Sequence, residues 1–150
     1  MPDTPPARAV FGMTLAFAER ALTKRLHETL VGVQTAPSTW YTLQLTAPTR
    51  PAIAPDALRE DLAGAPSLDA DAARAAIDGF VADGLIRVDE DGNVVQTADG
   101  EALHAKLRAT VLGRTDDLLG PVPPDDLETT VRVLRDVTAR AESPAGTPPR

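Results

Sequence analysis

The chain has no cysteine, which excludes disulfides, thiolate metal sites and any cysteine-based redox switch. Aromatic residues are only 3% of its 150 residues, with a single tryptophan and a single tyrosine adjacent at Trp40 and Tyr41. Histidine occurs only at His27 and His104, far apart in sequence. No Gly-rich phosphate loop, His-Glu-x-x-His or Cys-His pair occurs, so catalysis, a metal site and a cofactor have no motif behind them. Apolar runs long enough to span a bilayer are also missing. The opening MPDTPPAR is not followed by a secretion-type apolar segment, and the expected location is cytoplasmic. Basic charge is short as well. Fifteen Lys and Arg face 22 Asp and Glu, giving a net charge of −7 and a pI near 4.7. That balance argues against broad nucleic-acid affinity but leaves room for a local basic patch.

What is present fits a soluble globular chain: 43% hydrophobic and 25% charged residues, enough for one domain with a real core. The Pro-rich start, residues 1–12, and the Pro-rich end, residues 142–150, read as disordered. Between them lies a single domain, 13–141. Leu15, Ala18, Leu22, Leu26, Leu30 and Val33 form one stripe and predict a helix over 13–33. Short helices follow at 39–47 and 56–63, with Ile53 in a possible short strand between them. Asp69 is a helix cap, and Ala73, Ile77, Phe80, Val81 and Leu85 recur at helical spacing up to the stop at Gly84. Leu85–Val88, the polar turn Asp89-Glu90-Asp91-Gly92-Asn93 and Val94–Thr97 read as a β-hairpin. Long helices then run over 97–119 and from Asp125 to about Ala141. The order helix, helix, hairpin, helix is that of a winged helix-turn-helix, with 69–83 as the recognition helix and 37–100 as the winged unit. The apolar stripes of 13–36 and 101–141 have no third layer to cover them, which argues for a homodimer.

Gly84-Leu85-Ile86, the short hairpin and Thr97-Ala98-Asp99-Gly100 resemble the multiple-antibiotic-resistance (MarR) regulator family, and the resemblance runs from about Leu15 to Ala141. It implies a mainly α fold with a small β-hairpin wing, flanked by N- and C-terminal dimerisation helices. It also implies a homodimeric, ligand-responsive regulator of double-stranded DNA. On that reading Ser67 and Arg74 contact DNA from the recognition helix, and Arg87 and Asn93 from the wing. A small aromatic ligand sits near Phe17, His27, Trp40 and Tyr41, with His27 as a polar contact. Core packing is the simpler reading of the two aromatics, and a helix-surface or interface position the simpler reading of both histidines.

Two features depart from the family pattern. Its wings carry an Asp-x-Arg pattern, whereas this wing tip is acidic and Arg87 lies at its base. Gln96 stands where a leucine is usual. From Asp56 to Ala98 there are ten acids and three bases, a net −7 that equals the charge of the whole chain. The alternative function is therefore a winged-helix protein that has lost DNA binding. Such a protein uses its acidic face for protein interaction or DNA mimicry, or only binds a small ligand.

Overall fold

The computed structural model describes residues 6–65 and 68–143. Six helices and two strands follow in the order α1 (Ala7–Gly32), α2 (Pro37–Leu45), α3 (Pro55–Ala63), α4 (Ala70–Ala82), β1 (Ile86–Val88), β2 (Val94–Gln96), α5 (Ala98–Leu119) and α6 (Pro124–Glu142). Helix α1 starts six residues before the expected Met13, so residues 7–12 are helical rather than part of a disordered segment. Pro6 sits at the cap, where a missing N–H costs nothing, no proline follows within the helix, and the isolated Gly12 is carried inside it. Proline also opens α2, α3 and α6, its fixed φ suiting the first helical position. The segment 142–150 lies outside the described residues beyond Ser143.

The chain divides into two compact units, 1–112 and 113–150. The first unit holds the winged helix-turn-helix. Its larger core cluster joins Leu58 and Leu62 of α3, Ala73 and Phe80 of α4, Ile86 of β1 and Val94 of β2. Val81, expected on the same face as Phe80, is 50% exposed, because successive helical residues point about 100° apart. A second cluster joins Leu30 of α1, Trp40 and Leu43 of α2, and Leu107 of α5. Tyr41 packs against both.

Local signals explain the joints. The Asp69 carboxylate accepts the Ala72 N–H at 2.8 Å, capping α4. Gly84, at φ +68°, ends α4: its N–H reaches Val81 O and the Leu85 N–H reaches Phe80 O, the paired bonds of a left-handed helix stop. The hairpin pairs Ile86 with Gln96, Arg87 with Val95 and Val88 with Val94. Ile53 adds a single bridge to Val94, as its expected short strand implied. Thr97 then fixes the wing to α5. Its hydroxyl donates to Gly84 O at 2.5 Å and accepts the Gly100 N–H at 3.1 Å, while its own N–H donates to Leu85 O. Gly100 is buried directly against the Leu85 carbonyl, where a Cβ would collide with backbone.

The stripe on α1 is mostly uncovered: Leu15, Leu22 and Val33 are exposed, Leu26 is half-buried, and Leu30 is the helix's one buried residue among those described. In the second unit, α6 has no buried residue, and Val131 and Val137 of its stripe are exposed.

Candidate nucleic-acid interface and ligand site

The outward side of α4 and the wing carry the candidate DNA contacts. Arg74 is exposed on α4 and Arg87 on β1, and neither makes an ion pair among the described residues. Arg59, the third base of the acidic segment, is instead paired with Asp56 of its own helix. Asn93 is half-buried, and its backbone closes the wing: its N–H donates to the Asp89 carboxylate at 2.8 Å, and its carbonyl accepts the Asp89 N–H. Ser67 lies outside the described residues.

The acids of this region divide into two groups. Asp69 caps α4, and Asp89 builds the wing turn by accepting the N–H groups of Asp91 and Asn93. Asp71, Asp78, Asp83, Glu90 and Asp91 are all exposed. Their field opposes a phosphate backbone, whereas the charge of the two structural acids is partly offset by the N–H dipoles they accept.

The expected ligand-site residues do not form one cluster. His27 and Tyr41 do meet: His27 Nε2 lies 3.2 Å from the Tyr41 hydroxyl, with the rings edge to face. Burial, then the Glu19 charge, pushes the Tyr41 phenol above its ordinary value, so it is a neutral donor or acceptor at neutral pH. An open groove of about 670 Å³ beside His27 is lined by α1 alone, Arg20, Thr23 and Lys24 among its residues. Phe17 is elsewhere. It is 60% exposed under the Arg20 guanidinium, ten residues and so about 15 Å along α1 from His27. Trp40 is core, packed with Leu30, Leu43 and Leu107.

His104 is not the surface or interface residue expected. It is 5% exposed, edge-on to Trp40, and its Nδ1 faces the Gln96 amide. A lone polar residue on an apolar helix face gives no sequence sign of its partner, and the one visible clue was Gln96 in a leucine position. Among the described residues no group of three His, Asp or Glu is arranged to hold a metal ion. No helix is long and apolar enough to cross a membrane.

No family model and no curated protein matches the chain. Solved structures do match over nearly its whole length. The transcriptional regulator PA3341 is 24% identical, with a TM-score of 0.68 over 88% of this chain and 98% of that one. A MarR family protein from Bacillus stearothermophilus is 16% identical, with a TM-score of 0.68 over 93% of this chain and 100% of the other. The Mycobacterium tuberculosis MarR family protein Rv2887, solved in complex with DNA, is 17% identical, with a TM-score of 0.63 over 90% and 98% of the two chains. The same protein has been solved with salicylic acid. In its element order, its hairpin and its helical framework, the chain has the winged-helix fold of MarR-family transcriptional regulators.

Proposed function

We propose that the chain is a ligand-responsive transcriptional regulator of MarR type that binds double-stranded DNA as a homodimer. The observation that carries this reading is the rigid mounting of α4 and the wing on one core, with Arg74 and Arg87 exposed and outside any ion pair among the described residues. The fold it shares with a protein solved on DNA supports the same reading. Arg74 reads base edges or phosphate from α4, Ser67 adds a DNA contact, and Arg87 and Asn93 act from the wing. Apolar faces on α1 and α6 form the dimer, which sets two recognition helices against a two-fold symmetric site. A small aromatic ligand binds beside the His27–Tyr41 pair, in a groove where Arg20 and Lys24 are balanced by Glu19 and Glu28 and the ring contacts decide the fit.

The exposed acids of α4 and the wing favour one competing reading, a winged-helix protein that has given up DNA for a basic protein partner. Salt dependence separates the two. Binding to duplex DNA, followed by fluorescence anisotropy across a salt series, falls steeply on the regulator reading, by about 0.9 log units per log unit of salt for each phosphate contacted. Added salicylate shifts that binding and perturbs the fluorescence of Trp40, the neighbour of Tyr41 in the chain. Salt-independent or absent DNA binding, with a basic polypeptide bound instead, sinks the regulator reading.

A further inference from the structure

The buried polar cluster behind the wing plays no part in the proposed DNA or ligand contacts. Gln96, the last residue of β2, is 6% exposed. Its amide nitrogen lies 2.6 Å from Leu43 O of α2, 3.3 Å from the Thr46 hydroxyl and 3.4 Å from His104 Nδ1 of α5. One carboxamide therefore ties the wing strand to α2 and to α5. An amide nitrogen only donates, so this contact is a hydrogen bond when His104 Nδ1 carries the lone pair and Nε2 the proton, the neutral Nε2–H form. The Gln96 carboxamide oxygen, His104 Nε2 and the Thr42 hydroxyl are buried without a hydrogen-bond partner among the described residues. The cluster thus holds a spare acceptor at the Gln96 oxygen and a spare donor at His104 Nε2–H, but no fixed charge.

The charged surroundings offer a proton no counter-ion in contact. Helix α2 and strand β2 carry no charged side chain, and their one titratable group, Tyr41, is bonded to His27. On α1, which meets this cluster through Leu26 and Leu30, Lys24, Arg25 and Glu28 are exposed. On α5, Glu101 precedes His104 by about one turn and Arg108 follows it by one, both exposed. Burial first, and Arg108 second, holds His104 below the usual histidine range. A proton on Nδ1 turns the acceptor into a donor facing another donor, in a site that Trp40 closes on one side.

We propose that His104 and Gln96 form a pH-sensitive joint, in which protonation of His104 breaks the Gln96 tie and loosens the wing strand from α2 and α5. The joint is closed at neutral pH and opens on acidification. It does not depend on the DNA-binding reading.

The test is a pH titration of the full chain from about pH 8 to about pH 5, followed by NMR, spanning the range in which histidine switches. Only two histidine ring signals exist, and the one missing from His104→Gln identifies His104. The expected midpoint lies below the ordinary value of about 6.5. The backbone amides of Leu43 and Gln96 shift with that midpoint, and Trp40 fluorescence falls with it as the imidazolium quenches the indole. All three changes vanish in His104→Gln, which keeps a side chain able to accept the Gln96 bond but cannot titrate. In Gln96→Leu, which keeps the histidine, His104 still titrates but the Leu43 amide no longer follows. His104 staying neutral until the whole fold melts overturns the proposal. So do Leu43 and Gln96 amides that ignore its protonation, or that move unchanged in His104→Gln.

Discussion

Thr97 and Gly100 show how much a few atoms decide at the residue scale. The Thr97 hydroxyl joins the end of α4 to the start of α5, and the bare Gly100 lets α5 rest on the Leu85 carbonyl. Gly100→Ala puts a methyl group into backbone that has no side chain to swing aside. The expected cost is about 3 kcal/mol, read as a lower midpoint in urea unfolding. Gly92→Ala tests a different property, since it has open space around it and a φ of +81°. Its smaller loss, about 1 kcal/mol, comes from strain alone.

Tyr41 gives a second residue-scale prediction. As the only tyrosine, it reports its own ionisation through phenolate absorbance. Its midpoint is expected above 10, because burial and Glu19 both disfavour the phenolate. The folded state then holds a proton that the unfolded chain has already lost. This contribution to stability is complete below about pH 10 and disappears as the pH rises through the folded-state value. In Glu19→Gln the midpoint moves down toward the ordinary value. The cap at Asp69 and the stop at Gly84 were legible in sequence, because each answers to chemistry within a few residues. The Gln96 cluster was not, because Leu43 and Thr46 lie 53 and 50 positions from Gln96 in the chain, and nothing local to His104, eight positions on, shows that Gln96 turns inward to meet it.

Among the elements, α4 and the wing were readable from pattern alone: α4 keeps both expected caps, and the hairpin keeps its register across the Asp89–Gly92 turn. Helix α1 was read too short at its start, because a Pro-rich opening gives no positive helix signal beyond the proline itself. The four residues expected near a ligand are not all neighbours in the fold. Phe17 and His27 share a helix, but ten residues carry a side chain about 15 Å down the axis, too far to line one small-ligand contact. Acidic residues at the wing looked like one repulsive run, yet Asp89 is consumed by its own turn. Charge at this element leads to a prediction in two parts. Arg74→Ala weakens DNA binding by about 1–3 kcal/mol in a competition assay. Glu90→Gln with Asp91→Asn strengthens binding at low salt, and the gain shrinks at high salt as the removed repulsion is screened. A wing that does not approach phosphate leaves the double variant indistinguishable from wild type.

At the scale of the molecule, the uncovered apolar residues are the main argument. Leu15, Leu22 and Phe17 on α1, with Val131 and Val137 on α6, are more apolar surface than isolated helices keep in water without a partner. Leu22 is 53% exposed and touches neither core cluster, so Leu22→Asp is expected to leave the secondary structure and the cores intact. In sedimentation it shifts the protein from dimer to monomer; a wild-type monomer at the same concentration removes the dimer from the account.

On the proposed function this acidic winged helix still reads DNA. The decisive measurement is selection of genomic DNA fragments by the purified protein at low and moderate salt, followed by sequencing of what is retained. The claim predicts enrichment of a near-palindromic site, as two-fold symmetry requires, and its loss in Arg74→Ala. Absence of any enriched sequence at low salt, with and without salicylate, contradicts it and turns the search to a basic protein partner.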